Sequence, residues 1–534
     1  MKLLVVGLDG VCRSVLDPMI ADGIVPSLAG VCDDGVVGPL ESQLPPWTPS
    51  AWPSMYTGVN PGKHGVYDFL HFEGYDWDVV NRSHVKEFAV WELLSMRGFN
   101  SVVLNVPVTH PPREFDGVLV PGYVAPEAPA SHPPGVWDEL DRTLAGYSLY
   151  ADTLSSGPSD DDLAQDLVRL SRMRGEAFRH LVAEHEPEFG FVQFQATDTV
   201  FHEFPDDETV ARRVYGAVDR EVGEILDVCD ADVTLVVSDH GIGPMAGQEF
   251  RVNDYLRENE FLVTTAEGDG MPSWKTKTRQ EDETRRSAVV SSVADTAIGV
   301  AAGVGLTSQR IGAALRHLGL EQWVLERVPT DLVLTGTEQV DFAASTAYMR
   351  ARTEMGIRIN LEGREPSGVV PPSEYERVRT ELIEALAGVT TPTGDPVFEG
   401  VHRREAIFDG PYLEDAPDVV TVPNRFDQFL VATLKGDLFG EPTEPWEHKR
   451  EGILMATGDG IDRSADLSGA HLFDVAPTIL SAFGLPVSDR MDGSTLPIVD
   501  PTDRESYPPF EPVDPVATDD ADVEERLSDL GYLE

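Results

Sequence analysis

Three times along this 534-residue chain a short, β-branched apolar run ends in, or is closely followed by, an aspartate: Asp9 in KLLVVGLDG, Asp198 in FVQFQATDTVFHEF and Asp239 in LVVSDHGIGPM. Buried strands of a parallel sheet read as continuous apolar runs, and open α/β sheets keep their ligand sites at the carboxyl ends of their strands. The fold class is therefore α/β, with a largely parallel central sheet whose carboxyl edge gathers acidic side chains. Strands are predicted over 2–8, 35–40, 101–106, 189–195 and 233–237, and helices over 160–184, 208–228 and 373–387. Further apolar runs at 419–422 and 452–456 extend the core pattern.

The chain exceeds a typical single domain, yet its chemically interesting residues run from Asp9 to His448, so one catalytic unit must close over most of it. The reading assigns 1–250 and 340–500 to that core and 251–339 to an insertion or cap. Residues 267–286 are polar with local basic residues, and small-residue helical sequence follows to about 327, without a strand pattern. A substrate lid and a surface excursion without catalytic role fit this stretch equally. Residues 501–534 form an acidic, Pro-rich C-terminal tail with a short predicted helix over 523–530.

Acidic residues number 92 against 41 basic ones, a net charge of −51. Acid runs at 160–162, 206–208 and 519–525 and the scarcity of lysine describe a solvated acidic surface suited to high salt, and a halophilic source is the leading expectation. Such a surface argues against nucleic-acid polymers and anionic membranes, which are bound through basic residues. A small anionic substrate is compatible with it, because bound divalent cations invert the local field. Cys12, Cys32 and Cys229 form no C-x-x-C pair and read as idle thiols of a reducing compartment. The apolar run at 3–8 is too short for a secretory h-region and no stretch reaches the length of a charge-free span, so a cytoplasmic protein without membrane insertion is expected.

Five motifs carry the chemistry: those around Asp9, Asp198 and Asp239, with PPWTPSAWPSMYTG and WEHKREGILMATGDG. Attack on a phosphate ester is opposed by repulsion between the nucleophile and the phosphoryl oxygens, and two divalent cations about 4 Å apart remove that obstacle. Such a site needs hard carboxylates, imidazoles and one activated oxygen. Asp198 and His202 stand four residues apart, on one face of a helical turn; helix capping by Asp198 is the alternative. Asp239 and His240 precede Gly241, a residue expected to let the backbone turn sharply, and an ion-free Asp–His pair is the alternative there. His448 is favoured over His471 in GAHLFDVAPTIL, which reads as helix packing. For the nucleophile, Thr48 stands at a predicted helix start; Ser50 and Ser54 are alternatives, as is simple capping by Thr48.

Together these residues resemble the alkaline phosphatase superfamily, most closely its type I phosphodiesterase/nucleotide pyrophosphatase branch. PPWTPSAWPSMYTGVNPGKHGVYDF, NVPVTHPP, GIRINLEGREPSG and HKREGILMATGDGI, with DVAPTILSAFGLP and MDG after it, look like a group of archaeal and bacterial phosphohydrolases or phosphomutases within it. The resemblance covers residues 1 to about 500. It implies a three-layer α/β/α core and two zinc or manganese ions, one held by Asp198, His202 and His448, the other by Asp9, Asp239, His240 and the oxygen of Thr48. It also implies attack by Thr48 to give a phosphothreonine. The C/S-x-P-x-R motif of sulfatases is missing around Thr48, and Pro49-Ser50-Ala51 stands where nucleotide phosphodiesterases carry Phe-Pro-Asn, so nucleotide specificity does not transfer.

The expected function is thus two-metal hydrolysis of a phosphodiester or phosphomonoester. The alternatives are intramolecular transfer of the phosphomutase kind and a non-catalytic acidic binding protein on the same fold. The expected partner is a small phosphorylated molecule: a nucleotide, sugar or glycerol phosphate ester. Tyr67, Asn105 and His110 are polar residues that could favour the latter two. Oligomeric state is left open.

Overall fold

A computed structural model describes residues 1–151, 160–265, 339–512 and Val523. Residues 266–338 of the expected 251–339 cap, and nearly all of the expected tail helix, lie outside these residues.

Seven strands build the central sheet. In chain order they are β1 Leu3–Leu8, β2 Val36–Glu41, β3 Ser101–Leu104, β4 Gly117–Val120, β5 Phe189–Phe194, β6 Val233–Val237 and β7 Glu451–Gly458, arranged β2-β7-β6-β1-β5-β3-β4. β6, β1, β5, β3 and β4 are mutually parallel; β7 lies antiparallel between β6 and β2. The predicted strands and the α/β class are thus observed, with ends differing by at most two residues.

Every residue of β1, β5 and β6 is buried. Successive side chains of a strand leave opposite faces, so a strand without polar alternation needs cover on both. β5 shows how this is met. A side chain at Gly190 would run into Phe178 of the helix Asp160–His185, whereas its neighbour Phe191 packs on Trp52 and Trp91 from helices Thr48–Thr57 and Val90–Ser95. Two helical layers therefore flank the sheet.

Within the span assigned to the core from 340 to 500, Met355, Val422 and Phe426 join the main core, but most buried apolar residues from Ala347 to Ala432 pack elsewhere. With Phe250, Val252, Leu256 and Leu262 they form a second apolar cluster around a four-stranded sheet (Ala347–Tyr348, Gly356–Ile359, Val419–Pro423, Phe398–Arg403) and the helix Tyr375–Ala387. Arginine–carboxylate pairs such as Arg350–Glu354, Arg358–Glu365 and Arg364–Asp418 line it. The chain returns to the main sheet through Trp446–Lys449, which pairs antiparallel with Gly241–Pro244 and leads directly into β7.

The three cysteines form no disulfide. Among the described residues no single helix is long and apolar enough to cross a membrane.

Candidate active site

The carboxyl ends of β6, β1 and β5 lie side by side, which brings Asp239, Asp9 and Asp198 to one edge. Asp9 is fully buried, and Trp52 Nε1 and Gln193 Nε2 both donate to its Oδ2, at 3.0 and 2.8 Å. Its Oδ1 is thereby directed toward His240 Nε2, 3.4 Å away, and Thr48 Oγ1, 3.5 Å away. Gly10, at φ +68°, makes the turn after it; a Cβ there would also lie 2.8 Å from Asp198 Oδ1.

Thr48 opens the helix Thr48–Thr57 but does not cap it: the cap position is Trp47, and no side chain fills the role. Its hydroxyl lies 3.4 Å from His240 Nε2 and is buried. The alternative nucleophiles are committed elsewhere. Ser50 Oγ donates to the Val66 carbonyl at 2.8 Å, and Ser54 Oγ pairs with His64 Nε2 at 2.8 Å.

Asp198 and His202 sit in the helix Ala196–Glu203, directly after β5. His202 Nε2 lies 3.5 Å from Asp198 Oδ2 and 3.4 Å from His448 Nε2, and His448 Nε2 lies 3.7 Å from Asp198 Oδ1. His240 Nε2 is 3.3 Å from Asp239 Oδ2. Gly241 does not make the sharp turn expected from sequence. It begins a strand, and the glycine is required because a Cβ would lie 2.2 Å from the Glu451 carbonyl oxygen. The structure therefore brings all seven sequence-predicted residues into two adjoining groups.

These groups fit two metal ions. Donor atoms around a tetrahedral ion with bonds of about 2.0–2.1 Å stand about 3.3–3.4 Å apart. The separations among Asp198, His202 and His448 are 3.4–3.7 Å, and those linking His240 to Asp9, Asp239 and Thr48 are 3.3–3.4 Å. Asp198 Oδ1 and Asp239 Oδ2 are buried and accept no hydrogen bond. The rings are presented correctly as well. His448 Nδ1 faces the Pro46 carbonyl at 3.1 Å and His240 Nδ1 the Gly241 carbonyl at 3.0 Å. A carbonyl only accepts, so each Nδ1 carries the proton and each Nε2 is left for a metal.

The electrostatics agree. Burial pushes Asp9 and Asp239 above the usual carboxylate range, and neighbouring aspartates add to this. Burial, with His240 nearby, holds His448 down at about 3, in the neutral form that can ligate. Burial works against charge on His202 and His240 as well, but Asp198 beside the first and Asp239 and Asp9 beside the second outweigh it and raise them to about 9 and about 10, so two imidazolium charges stand where divalent cations would balance the buried carboxylates.

His471 takes a different part. Its Nδ1 accepts from the Phe473 N–H at 3.3 Å and its own N–H donates to Asp474, so it caps the turn Leu472–Asp474. Tyr67 donates to the Tyr412 carbonyl, Asn105 is held between Tyr147 and the Pro121 carbonyl, and burial holds His110 down at about 4. The hydrogen bonds of Tyr67 and Asn105 thus run to the protein itself.

Sequence reasoning missed three supporting residues. Trp52 and Gln193 orient Asp9, and Gln193 also donates to Gln195 Oε1 at 2.9 Å. The signal was two glutamines alternating inside an otherwise apolar strand, FVQFQ. Glu447 accepts from the His448 N–H at 2.9 Å and from Arg352 Nη1 at 2.7 Å, and its carboxylate falls among the atoms that could join His202 and His448 on a metal.

The profile of the type I phosphodiesterase / nucleotide pyrophosphatase family matches residues 3–453, a span that includes every one of the seven. The chain belongs to that family. Its members are phosphoric ester hydrolases of the alkaline phosphatase superfamily. Among solved structures, phosphonoacetate hydrolase from Sinorhizobium meliloti 1021 in complex with phosphonoformate is 14% identical, with a TM-score of 0.52; the alignment covers 89% of this chain and 94% of that one. Murine ectonucleotide pyrophosphatase/phosphodiesterase 5, in an inactive form with AMP, is 12% identical with a TM-score of 0.48, over 91% and 95% of the two chains. No curated protein sequence matches the chain. The likeness to phosphonoacetate hydrolase supports the alkaline-phosphatase-like α/β/α fold.

Proposed function

We propose that the protein is a two-metal-dependent phosphohydrolase that cleaves phosphodiester or phosphomonoester bonds through a phosphothreonine at Thr48. The observation that carries this reading is the position of Thr48 Oγ1, 3.4 Å from His240 Nε2 and 3.5 Å from Asp9 Oδ1, two members of a group of donors that could hold an ion. Asp198, His202 and His448 would hold one zinc or manganese ion, and Asp9, Asp239, His240 and Thr48 the other. When bound, the ions neutralise charge on the nucleophile, the phosphoryl oxygens and the leaving group.

The residues then have defined parts. Trp52 and Gln193 fix the Asp9 carboxylate, and the helix start aims the Thr48 hydroxyl. Thr48 Oγ1 gives its proton to solvent water and bonds to phosphorus as the bond to the ester oxygen breaks; the departing alkoxide takes a proton from water. Water next attacks the phosphothreonine, the Thr48–phosphorus bond breaks, and the hydroxyl is restored. Capture by an acceptor alcohol in place of water would make the same site a phosphotransferase.

Family membership supports a small phosphorylated substrate, in the range of nucleotide, sugar or glycerol phosphate esters. The net charge of −51 and three unpaired cysteines support a cytoplasmic setting at high salt, as in a halophilic archaeon.

The test is a screen of matched mono- and diesters with protein reconstituted with Zn²⁺ or Mn²⁺ in molar KCl, followed by acid quench and mass spectrometry. Metal-dependent turnover with a Thr48 adduct is expected, about 80 Da from a monoester and about 80 Da plus the retained ester group from a diester. Turnover without any adduct on the chain would replace threonine by water as the nucleophile.

A further inference from the structure

Arg174 lies in the middle of the helix Asp160–His185, and its side chain is turned inward. Only 5% of the residue is exposed. A guanidinium has five N–H donors. Here the hydrogen bond it makes runs from Nη2 to the Leu149 carbonyl at 2.9 Å, and its Nε is buried with no partner. Among the described residues no carboxylate forms an ion pair with it. The groups nearest to doing so are engaged: Glu127 accepts from the N–H groups of Leu149 and Tyr150, Tyr147 donates to Asn105, and Tyr150 donates to the Ala125 carbonyl. A buried charge without a counter-charge is costly, and proteins otherwise pair or discard it.

The guanidinium faces a cavity of about 40 Å³ walled by Tyr123, Tyr150, Leu170, Gln195 and Thr199. One water needs about 10–15 Å³ by the same measure, so the space holds a group the size of a carboxylate or phosphate rather than a lone solvent molecule. Two of its walls are linked to the active site. Thr199 follows Asp198 in the same helix, and Gln195 is joined to Asp9 through Gln193, which donates to both side chains at 2.8–2.9 Å. Asp9 is also among the charges that act on Arg174.

We propose that Arg174 is the specificity residue for a second oxyanion on the substrate, so that the preferred substrates are phosphate esters whose organic part carries a carboxylate or a further phosphate. The inference rests on the phosphohydrolase reading above and narrows it. Arginine suits the task because its planar fork binds either oxyanion in bidentate fashion, and the low-dielectric wall strengthens the contact.

Calorimetric titration of the Zn²⁺-reconstituted protein with carboxyalkyl phosphonates, their carboxamides and the matching bisphosphonates tests this. The acid or the bisphosphonate should bind about 10- to 100-fold more tightly than the amide, the two arms telling carboxylate from phosphate recognition, and Arg174→Gln should bring that ratio close to one. An equal ratio in both proteins, or none in the wild type, overturns the proposal. A second readout needs no phosphorus ligand. At fixed ionic strength malonate should raise the Tm of the wild type but not of Arg174→Met, and the ligand-free variant should melt no lower than the wild type. A variant that melts well below it would show that Arg174 serves the fold and would overturn the inference. An acid-over-amide preference without turnover of any ester sinks the hydrolase reading alone, and turnover without that preference sinks the Arg174 assignment alone.

Discussion

Trp52 Nε1 donates to Asp9 Oδ2 at 3.0 Å, so the helix that begins at Thr48 is tied, one turn in, to the same carboxylate that Thr48 faces. Gly7 makes room for the tie: a Cβ there would stand 2.5 Å from the Trp52 ring. Hydroxyl and carboxylate thus move together, and disturbing one displaces the other.

Thr48→Ala should reduce turnover by at least about a thousandfold while most metal binding remains, since six protein ligands are left. Steady-state kinetics paired with metal analysis of the same preparation checks this. Ser50 and Ser54 are bonded elsewhere, so near-normal hydrolysis by the variant would point to water.

His448→Ala and His471→Ala should part company. The first removes a buried ring whose Nε2 lies 3.4 Å from that of His202, and should lose about one bound metal and most activity. The second removes a cap and should cost about 1 kcal/mol of stability with activity retained. Reversed phenotypes would displace His448 from the site.

Equilibrium dialysis against Zn²⁺ or Mn²⁺ should reach two ions per chain, because the donor atoms around His448 and those around His240 stand close enough to share an ion each. Saturation at one ion would mean that one set is an ion-free network of aspartate and histidine.

Asp68 makes stability fall with rising pH. It is 1% exposed, and burial pushes it up to about 7 from the ordinary 3.8. Between those values the folded chain holds a proton that the unfolded chain has released, so this contribution is complete below about pH 4 and is lost as pH rises through 7. Asp68→Asn cannot ionise. Its folding constant should therefore gain on the wild type by at least about tenfold between pH 5 and pH 8. Parallel denaturation curves at the two pH values would refute the assignment.

A chain at −51 repels itself unless cations screen and hydrate it. Its Tm should rise between dilute buffer and molar KCl, and an unchanged Tm would remove the case for adaptation to high salt.

The core strands could be read from sequence because burial on both faces leaves an unbroken apolar run: 233–237 was predicted and Val233–Val237 is observed. The second apolar cluster was read only in part: the helix over 373–387 and the run at 419–422 are observed as Tyr375–Ala387 and Val419–Pro423, but in the two-residue Ala347–Tyr348 and the mixed FEGVHR of Phe398–Arg403 neither periodicity nor length stands out. In the site, Asp9, Asp198 and Asp239 announced themselves by following strands. Their supports did not: Trp52 reads as ordinary core until its indole N–H is seen on Asp9. Arg174 was the least legible, because a lone arginine in an amphipathic helix is assigned to solvent, and only the fold around Tyr147 and Tyr150 turns it inward.

His448 reaches the site by pairing with Gly241–Pro244, more than four hundred residues after Asp9 has taken its place at the end of β1. A nascent chain therefore has both donor groups only when nearly its whole length has been made. On the proposed ligand assignment metal capture would be a late event of synthesis, and tight binding of an ion at His448 would report that the chain has closed correctly on itself.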